Sequence, residues 1–300
     1  MMPMKTNQAI RQATKPIVKK NFWRICGMWL LTMLVTVAIM LVVSFAMMAI
    51  IGVDMTSANP TFTPTYSETA VTLLTILPLV LMLCVYVITS GMQLGFCNGI
   101  LGMVRGEKVY ATAVFSRMGK CLKGFGLTVL MGLKVFLWAL PGFAVMLIGS
   151  FISLNGGSEE GMSLLMWAGY VLVFALMLPA LLRYAMSYYV MAENPDRGIR
   201  ASIARSKEIM QYRKWQLFKL DIPYFLISYA VIMVLGVVVG FVSSVVDSEL
   251  VMGLTVLVTL IVMIAVMLRY MAYVQVATGV FYDVCGTTED QGEQGESSEG

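Results

Sequence analysis

The sequence contains no histidine in 300 residues, and only 13% of its residues are charged. Histidine is the commonest general base and the commonest metal ligand, so its absence argues against the usual acid–base and zinc chemistry. The five cysteines include no Cys-x-x-Cys pair, and their odd number argues against a disulfide framework. We therefore expect neither a metal nor another cofactor.

Sequence motifs of catalysis are missing as well. The chain has no Gly-x-Ser-x-Gly elbow, no His-Glu-x-x-His motif and no acidic pair within an apolar segment. The stretch from Gly102 to Glu107 lacks the lysine–hydroxyl pair of a phosphate loop and predicts a turn. We therefore expect a protein that is not an enzyme. An enzyme acting on lipids would need a carboxylate beside a cavity, and Asp221 is the candidate for that role.

Apolar residues, in contrast, make up 59% of the chain. Crossing a bilayer core takes about 20 consecutive, mostly apolar residues in a helix. Six segments meet this requirement, at about 26–51, 71–95, 126–152, 162–188, 218–246 and 251–271. The sequence therefore predicts an all-α, polytopic membrane protein with six transmembrane helices and basic interfacial helices.

The distribution of basic residues predicts the orientation of the spans. The loops that follow spans one, three and five contain no Lys or Arg, whereas the N-terminus and the other two loops hold nearly all of them. Because cytoplasmic loops carry an excess of Lys and Arg, both termini are expected in the cytoplasm. The predicted localisation is the cell (cytoplasmic) membrane, with multiple passes.

Three regions follow along the chain. Residues 1–25 form a basic cytoplasmic segment, which we expect to be an interfacial helix interrupted at Pro16. Residues 26–286 form the six-span transmembrane domain. Residues 287–300 contain Gly, Glu, Gln and Ser without apolar content, and predict a disordered acidic cytoplasmic tail.

The elbow between spans four and five carries the most informative pattern. Asn194-Pro195 predicts a helix start, and Ile199, Ile203, Ser206 and Met210 then fall on one helical face. A basic helix with such an apolar stripe is typical of a membrane interface. It would be either a topological anchor or a helix that binds a partner.

This elbow resembles an uncharacterised family of bacterial integral membrane proteins, domain of unknown function family 975. The residues that carry the resemblance there are Leu178-Pro179, Tyr184, Ala192-Glu193-Asn194-Pro195, Ala201, Ser206, Met210, Lys214-Trp215, Phe218 and Leu220-Asp221. Elsewhere they are Leu94-Gly95-Phe96, Arg105-Gly106-Glu107 and Phe281-Tyr282-Asp283. The resemblance spans nearly the whole chain and implies membership of a membrane family without implying an activity.

A weak internal repeat accompanies the spans. The stretch Lys15 to Ile25 matches Lys207 to Leu217 at a Lys, an Ile and a Trp, and a middle copy, Arg117 to Leu127, matches in character. One interpretation is three repeated units, each a basic helix followed by a two-span hairpin, packed around a shared interior. The other is that basic entry segments with Trp recur because each faces the same headgroups.

Four ionisable residues lie inside the predicted spans, namely Lys134, Arg183, Asp221 and Arg269. Ionisable groups within a bilayer are costly and therefore indicate function. With the predicted topology all four lie in the cytoplasmic half, where Asp221 would pair with one of the three cations and Gln93 would add a hydrogen-bonding group. A net positive pocket of this kind suits an anionic lipid. The alternative is structural anchoring, in which the cations extend to the interface.

The sequence therefore favours non-enzymatic binding or transport of a lipid or other anionic amphiphile through a cationic cytoplasmic-leaflet pocket. The alternative is a membrane scaffold or accessory subunit that binds another membrane protein. The expected partners are the lipid bilayer, with anionic lipid, and in the second case a membrane protein. Nucleic acid is not expected, because the basic residues follow the membrane face.

The predicted orientation is tested by labelling with a membrane-impermeant maleimide after the five native cysteines are replaced by alanine. We expect Thr61→Cys to react in intact cells and Ser298→Cys to react only after permeabilisation, since the positive-inside rule places these residues on opposite sides. Reaction of Ser298→Cys in intact cells would contradict the orientation.

Overall fold

The computed structural model describes residues 7–51, 68–154, 159–245 and 248–296, and throughout these ranges the regular elements are helical. The predicted all-α class is therefore confirmed. Most of the predicted external loops, in segments 52–67, 155–158 and 246–247, lie outside the described residues, as do residues 1–6 and 297–300.

Eight α-helices and one 3₁₀ helix occupy the described residues. In chain order they are α1 Asn7–Ile51, α2 Glu68–Val104, the 3₁₀ helix Ala111–Lys120, α3 Cys121–Leu154, α4 Glu159–Tyr184, α5 Ser187–Glu193, α6 Ile199–Met210, α7 Lys214–Val245 and α8 Glu249–Glu296.

Six of these helical segments are long and apolar enough to cross a membrane, which confirms the predicted number of spans. Several are longer than a bilayer requires. With 45 residues at 1.5 Å each, α1 measures about 68 Å, against a hydrocarbon core of about 30 Å. Residues 7–25 of the predicted basic segment thus form the first turns of α1. Pro16 does not interrupt this helix, because losing one backbone hydrogen bond only weakens a helix that continues on both sides.

At the other end of the chain, α8 continues to Glu296 and so into the predicted disordered tail. Glu and Gln are good helix formers, which favours such an extension. Disorder of the predicted tail, residues 287–300, remains a prediction.

The buried core lies at one end of the helices. Ile10, Met28, Met92, Met186 and Phe281 have at most 1% of their surface exposed and belong to one cluster. We call this the basic end. It combines the start of α1, the end of α2, the 3₁₀ helix, α5, α6, the start of α7 and the part of α8 from Ala272 to Cys285. The packing of three hairpins around a shared interior remains a prediction.

Away from the basic end, the spans expose large apolar side chains such as Leu34, Val237 and Leu254. Lipid tails are as apolar as leucine, so these side chains gain little by packing on other helices. The exposed apolar surface is therefore the surface expected to face lipid.

A glycine face on α2 allows the chain to fold back against this helix. The face consists of Gly91, Gly95, Gly99 and Gly102, which are spaced four, four and three residues apart. A Cβ at Gly91 would lie 2.8 Å from the Cβ of Cys121, and one at Gly95 would overlap the carbonyl oxygen of Val114. The 3₁₀ helix therefore lies directly against the α2 backbone, with Val114 fully buried.

The reversal after α2 is a glycine-capped turn, as predicted for this stretch. Gly106 has φ of 86°, a left-handed conformation that favours glycine. Its N–H donates to the Met103 carbonyl at 3.2 Å, and the Glu107 N–H donates to the Gly102 carbonyl at 2.8 Å. This pair of bonds satisfies carbonyls at the end of α2.

The elbow differs from its prediction at the start of its helix. Asn194 ends α5 with φ of −124° and ψ of 85°, and α6 begins only at Ile199 after Gly198. Proline disfavours helical geometry in the residue before it, which explains the break at Asn194. The predicted stripe of α6 packs on the protein, since Ile203, Ser206 and Met210 are fully buried.

The basic segments of the three proposed repeat units differ in conformation. The first, Lys15 to Ile25, lies within α1. The second, Arg117 to Leu127, runs from the 3₁₀ helix into α3, and the third, Lys207 to Leu217, runs from the end of α6 into α7. Trp23 and Trp215, which align in the repeat, are both exposed. The internal repeat remains a prediction.

The close packing on α2 is tested by comparing Gly95→Ala with Gly132→Ala in detergent. Overpacking typically costs about 1–3 kcal/mol. We therefore expect Gly95→Ala to lower the melting temperature, and Gly132→Ala to leave it unchanged or raised, because a Cβ there meets no atom within 4 Å. Equal melting temperatures would contradict the close approach.

Candidate functional site

A groove of about 540 Å³ lies between α1 and α8 at the basic end. Its lining combines three cations, three aromatic rings and one valine: Lys15, Val18, Lys19, Phe22, Trp23, Arg269 and Tyr273. Lys15 and Lys19 lie one helical turn apart on the same face of α1, and Arg269 faces them from α8. All three cations are exposed, whereas Val18 is buried. The groove is therefore positively charged, with partly apolar walls.

Two stacked tyrosines join the groove to α7. The rings of Tyr224 and Tyr273 lie 5.5 Å apart, at an angle of 16°. The guanidinium of Arg11 lies 6.0 Å from the Tyr224 ring, and that of Arg269 lies 5.9 Å from the Tyr273 ring. Each cation thus contacts the electron-rich face of an aromatic ring. Arg269 is held without an ion pair to any carboxylate of the described residues.

Asp221 lies near Arg11 and not beside one of the three cations predicted to pair with it. Arg11 is the cation whose charge acts on Asp221, and its Nη2 donates to the carbonyls of Lys219 at 2.7 Å and Leu220 at 3.3 Å. Oδ1 of Asp221 is buried without a hydrogen-bond partner among the described residues. This arrangement arises because the start of α1 packs on the first turn of α7, a contact between residues about 210 positions apart.

Lys134 and Arg183 belong to a second group of cations, on α3, α4 and α6. Lys207, Arg200 and Arg183 all repel the ammonium of Lys134 electrostatically. Ser206 of α6 donates to the Arg183 carbonyl at 3.2 Å. We call Lys134, Arg183, Arg200 and Lys207 the α3–α4–α6 cation cluster.

Gln93, the remaining predicted site residue, is half-buried on α2 and lines neither groove described here. The second groove, of about 300 Å³, lies between α1 and the turn after α2 and contains Lys20, Arg24, Glu107 and Lys108. The five predicted site residues therefore fall in different parts of the fold and do not line one common groove.

The sequence analysis missed a polar cluster at the basic end. Arg105 forms ion pairs with Glu193 and, at 3.0 Å, with Asp283. The Tyr282 hydroxyl donates to Glu193 at 2.6 Å, and its ring stacks on Tyr189. The cluster therefore ties the ends of α2 and α5 to α8. The residues Arg105, Glu193, Tyr282 and Asp283 lie in the stretches that carry the family resemblance. Those stretches were the available sequence signal for the cluster.

Ion pairs also shift pKa values outside the spans. The hydrogen bond to Glu193 raises the pKa of Arg105, so its guanidinium remains charged. The hydrogen bond from Lys120 lowers the pKa of Asp196, whose side chain is largely exposed. Lys123 donates to the Pro195 carbonyl at 3.0 Å, and together these contacts join the start of α3 to the elbow.

No group of three or more Cys, Asp or Glu side chains within the described residues is arranged to hold a metal ion.

Six apolar helices joined by a basic end define a multi-pass integral membrane protein. The family model described as Protein of unknown function (DUF975) matches residues 2–287, and the chain belongs to this family. No curated protein and no solved structure matches the chain.

The polar cluster makes a testable contribution to stability. Arg105→Gln leaves Glu193 and Asp283 without their shared cation, so we expect a loss of about 1–2 kcal/mol, measured as a lower melting temperature in detergent. Lys120→Gln breaks an ion pair whose acid is 84% exposed and serves as the control, with little expected change. A similar effect of both variants would contradict the structural role of the cluster.

Proposed function

We propose that the protein binds an anionic lipid, or another anionic amphiphile, in the groove between α1 and α8. The observation that carries this proposal is the lining itself, in which Lys15, Lys19 and Arg269 stand beside aromatic rings without a carboxylate. Anionic headgroups are attracted to such basic sites at the cytoplasmic side of membrane helices.

The shape and chemistry of the groove suit an amphiphile. Its volume of about 540 Å³ lies within the usual range of small-molecule sites, about 300–1,000 Å³. A phosphate would accept charge-assisted hydrogen bonds from the three cations, while Phe22 and Trp23 would contact the glycerol or the first part of an acyl chain. Beyond them, the exposed apolar surface of α1 would accommodate the rest of that chain.

The proposed location is the cytoplasmic leaflet of the cell membrane. The basic end brings together the N-terminal part of α1 and the basic segments after α2 and α5. The positive-inside rule then places this end, with both termini, in the cytoplasm. The anionic lipids of that leaflet would have direct access to the groove.

We propose binding or transport rather than catalysis. The groove lining has no carboxylate, serine, threonine or cysteine, so it lacks the carboxylate and the hydroxyl or thiol nucleophile typical of enzymes that cleave lipids. Asp221, the candidate carboxylate for an enzyme acting on lipids, does not line this groove.

A membrane scaffold is the second candidate, and a different observation favours it. Gly236 and Gly240 form a Gly-x-x-x-Gly pair on α7, and a Cβ at either position would meet no atom within 4 Å. Small residues at this spacing let transmembrane helices approach closely. A membrane-protein partner would therefore be expected on this face of α7.

The groove is tested by titrating the purified protein with fluorescent phosphatidylglycerol, with phosphatidylcholine as the neutral lipid. Lys15→Gln combined with Arg269→Gln should weaken phosphatidylglycerol binding by about tenfold or more, since tenfold corresponds to only about 1.4 kcal/mol. Lys219→Gln removes an exposed cation outside the groove and should bind like the wild type.

Unchanged affinity in the double variant would overturn the proposed site. Loss of a co-purifying membrane protein in Gly236→Leu, together with such unchanged lipid affinity, would favour the scaffold function instead.

A further inference from the structure

We infer that the α3–α4–α6 cation cluster is a second lipid site, and that its ligand is a lipid headgroup carrying two phosphate groups. This site shares no residue with the α1–α8 groove. It extends the proposed function to another class of lipid, and its test is independent of the groove.

Packing of α6 on α3 and α4 brings the cluster together. Ile199 of α6 crosses α3 at Gly126, where a Cβ would lie 2.6 Å from its Cδ1 atom. Val135, Tyr184 and Ile203 belong to one buried cluster, which fixes the three helices around them. Lys134 directly precedes Val135 and Arg183 directly precedes Tyr184, so both cations stand at the edge of this packed core.

The basic face of α6 supplies the other two cations. The Nζ atom of Lys207 lies 6.0 Å from the Tyr184 ring, a cation–π contact that orients this ammonium towards α4. Arg200 lies two helical turns earlier on α6 and is exposed. Lys134, Arg183 and Lys207 are half-buried. The buried side of α6 faces the protein, so these cations border the surface where protein meets lipid.

Among the described residues no carboxylate forms an ion pair with any member of the cluster. The charges on Lys207, Arg200 and Arg183 also repel Lys134. Cations that repel one another and form no ion pair are expected to attract a counterion, because the cost of their repulsion rises as water is excluded. An anion bound at this site would remove that repulsion.

The number and spread of the cations select a ligand with two phosphates. Lys134 lies eight residues beyond Gly126, or roughly 12 Å deeper along α3 than the crossing of α6. A single phosphodiester carries one negative charge and would leave most of the cluster without a counterion. Two phosphates supply at least two negative charges and so balance more of the four cations. Basic pockets between transmembrane helices bind headgroups of this kind.

Two lipid classes supply this chemistry, and the experiment separates them. The full-length protein is titrated in detergent with cardiolipin, which has two phosphodiesters, and with farnesyl diphosphate, which has one diphosphate. Phosphatidylglycerol at equal total phosphate is the comparison. We expect at least one two-phosphate ligand to bind tenfold or more tightly than phosphatidylglycerol, and the tighter one identifies the class.

Variants locate that binding. Lys134→Gln combined with Arg183→Gln should reduce affinity for the two-phosphate lipid by about tenfold or more while phosphatidylglycerol still binds the α1–α8 groove. Lys134→Arg keeps the charge and should retain affinity, which separates loss of the cation from loss of folding. Lys15→Gln with Arg269→Gln should leave two-phosphate binding unchanged.

Equal affinity for phosphatidylglycerol and both two-phosphate ligands would overturn the inference. So would full two-phosphate binding in the Lys134→Gln and Arg183→Gln double variant. Unchanged phosphatidylglycerol binding in the Lys15→Gln and Arg269→Gln double variant alone would count against the proposed function. It would leave the α3–α4–α6 site in place.

Discussion

The fold depends on one constraint: the hydrophobic effect does not drive apolar helices together in lipid, so close packing and polar contacts must hold them. The buried core at the basic end does this. Its closest contact is between the glycine face of α2 and the returning chain at Val114. The polar cluster around Arg105 then fixes the end of α8 to α2 and α5. The outer parts of the spans can remain exposed to lipid because this end is packed.

The same constraint explains where the cations are. The helices extend past the hydrocarbon core into the headgroup region, where lysine and arginine are tolerated and anionic phosphates are available. Residues of α1 and α8 that pack on each other therefore leave a basic groove at their outer edge. The packing of α6 across α3 and α4 produces the second basic surface in the same way. The proposed lipid sites are thus consequences of how the basic end is built.

The spans were predictable from the sequence, because hydropathy and length are local properties. The core was not, because hydropathy does not distinguish a side chain that faces lipid, such as Leu34, from one that faces protein, such as Met92. The role of Lys134 and Arg183 in ligand binding remains a prediction. The contact of Arg11 with the start of α7 beside Asp221 was missed because Arg11 comes from a segment expected to lie apart from the spans. The Arg105 cluster was present in the family motifs, but its long-range contacts have no local signature.

The central claim is that an anionic lipid occupies the groove between α1 and α8. Native mass spectrometry of the protein, released gently from its own membrane, tests this claim most directly. The account predicts a retained anionic lipid with a single phosphate on the wild type that is lost when Lys15 and Arg269 are both replaced by glutamine, whereas a two-phosphate lipid on the α3–α4–α6 cation cluster is kept. Equal retention of the single-phosphate lipid in both forms, or no retained anionic lipid in either, would contradict the claim.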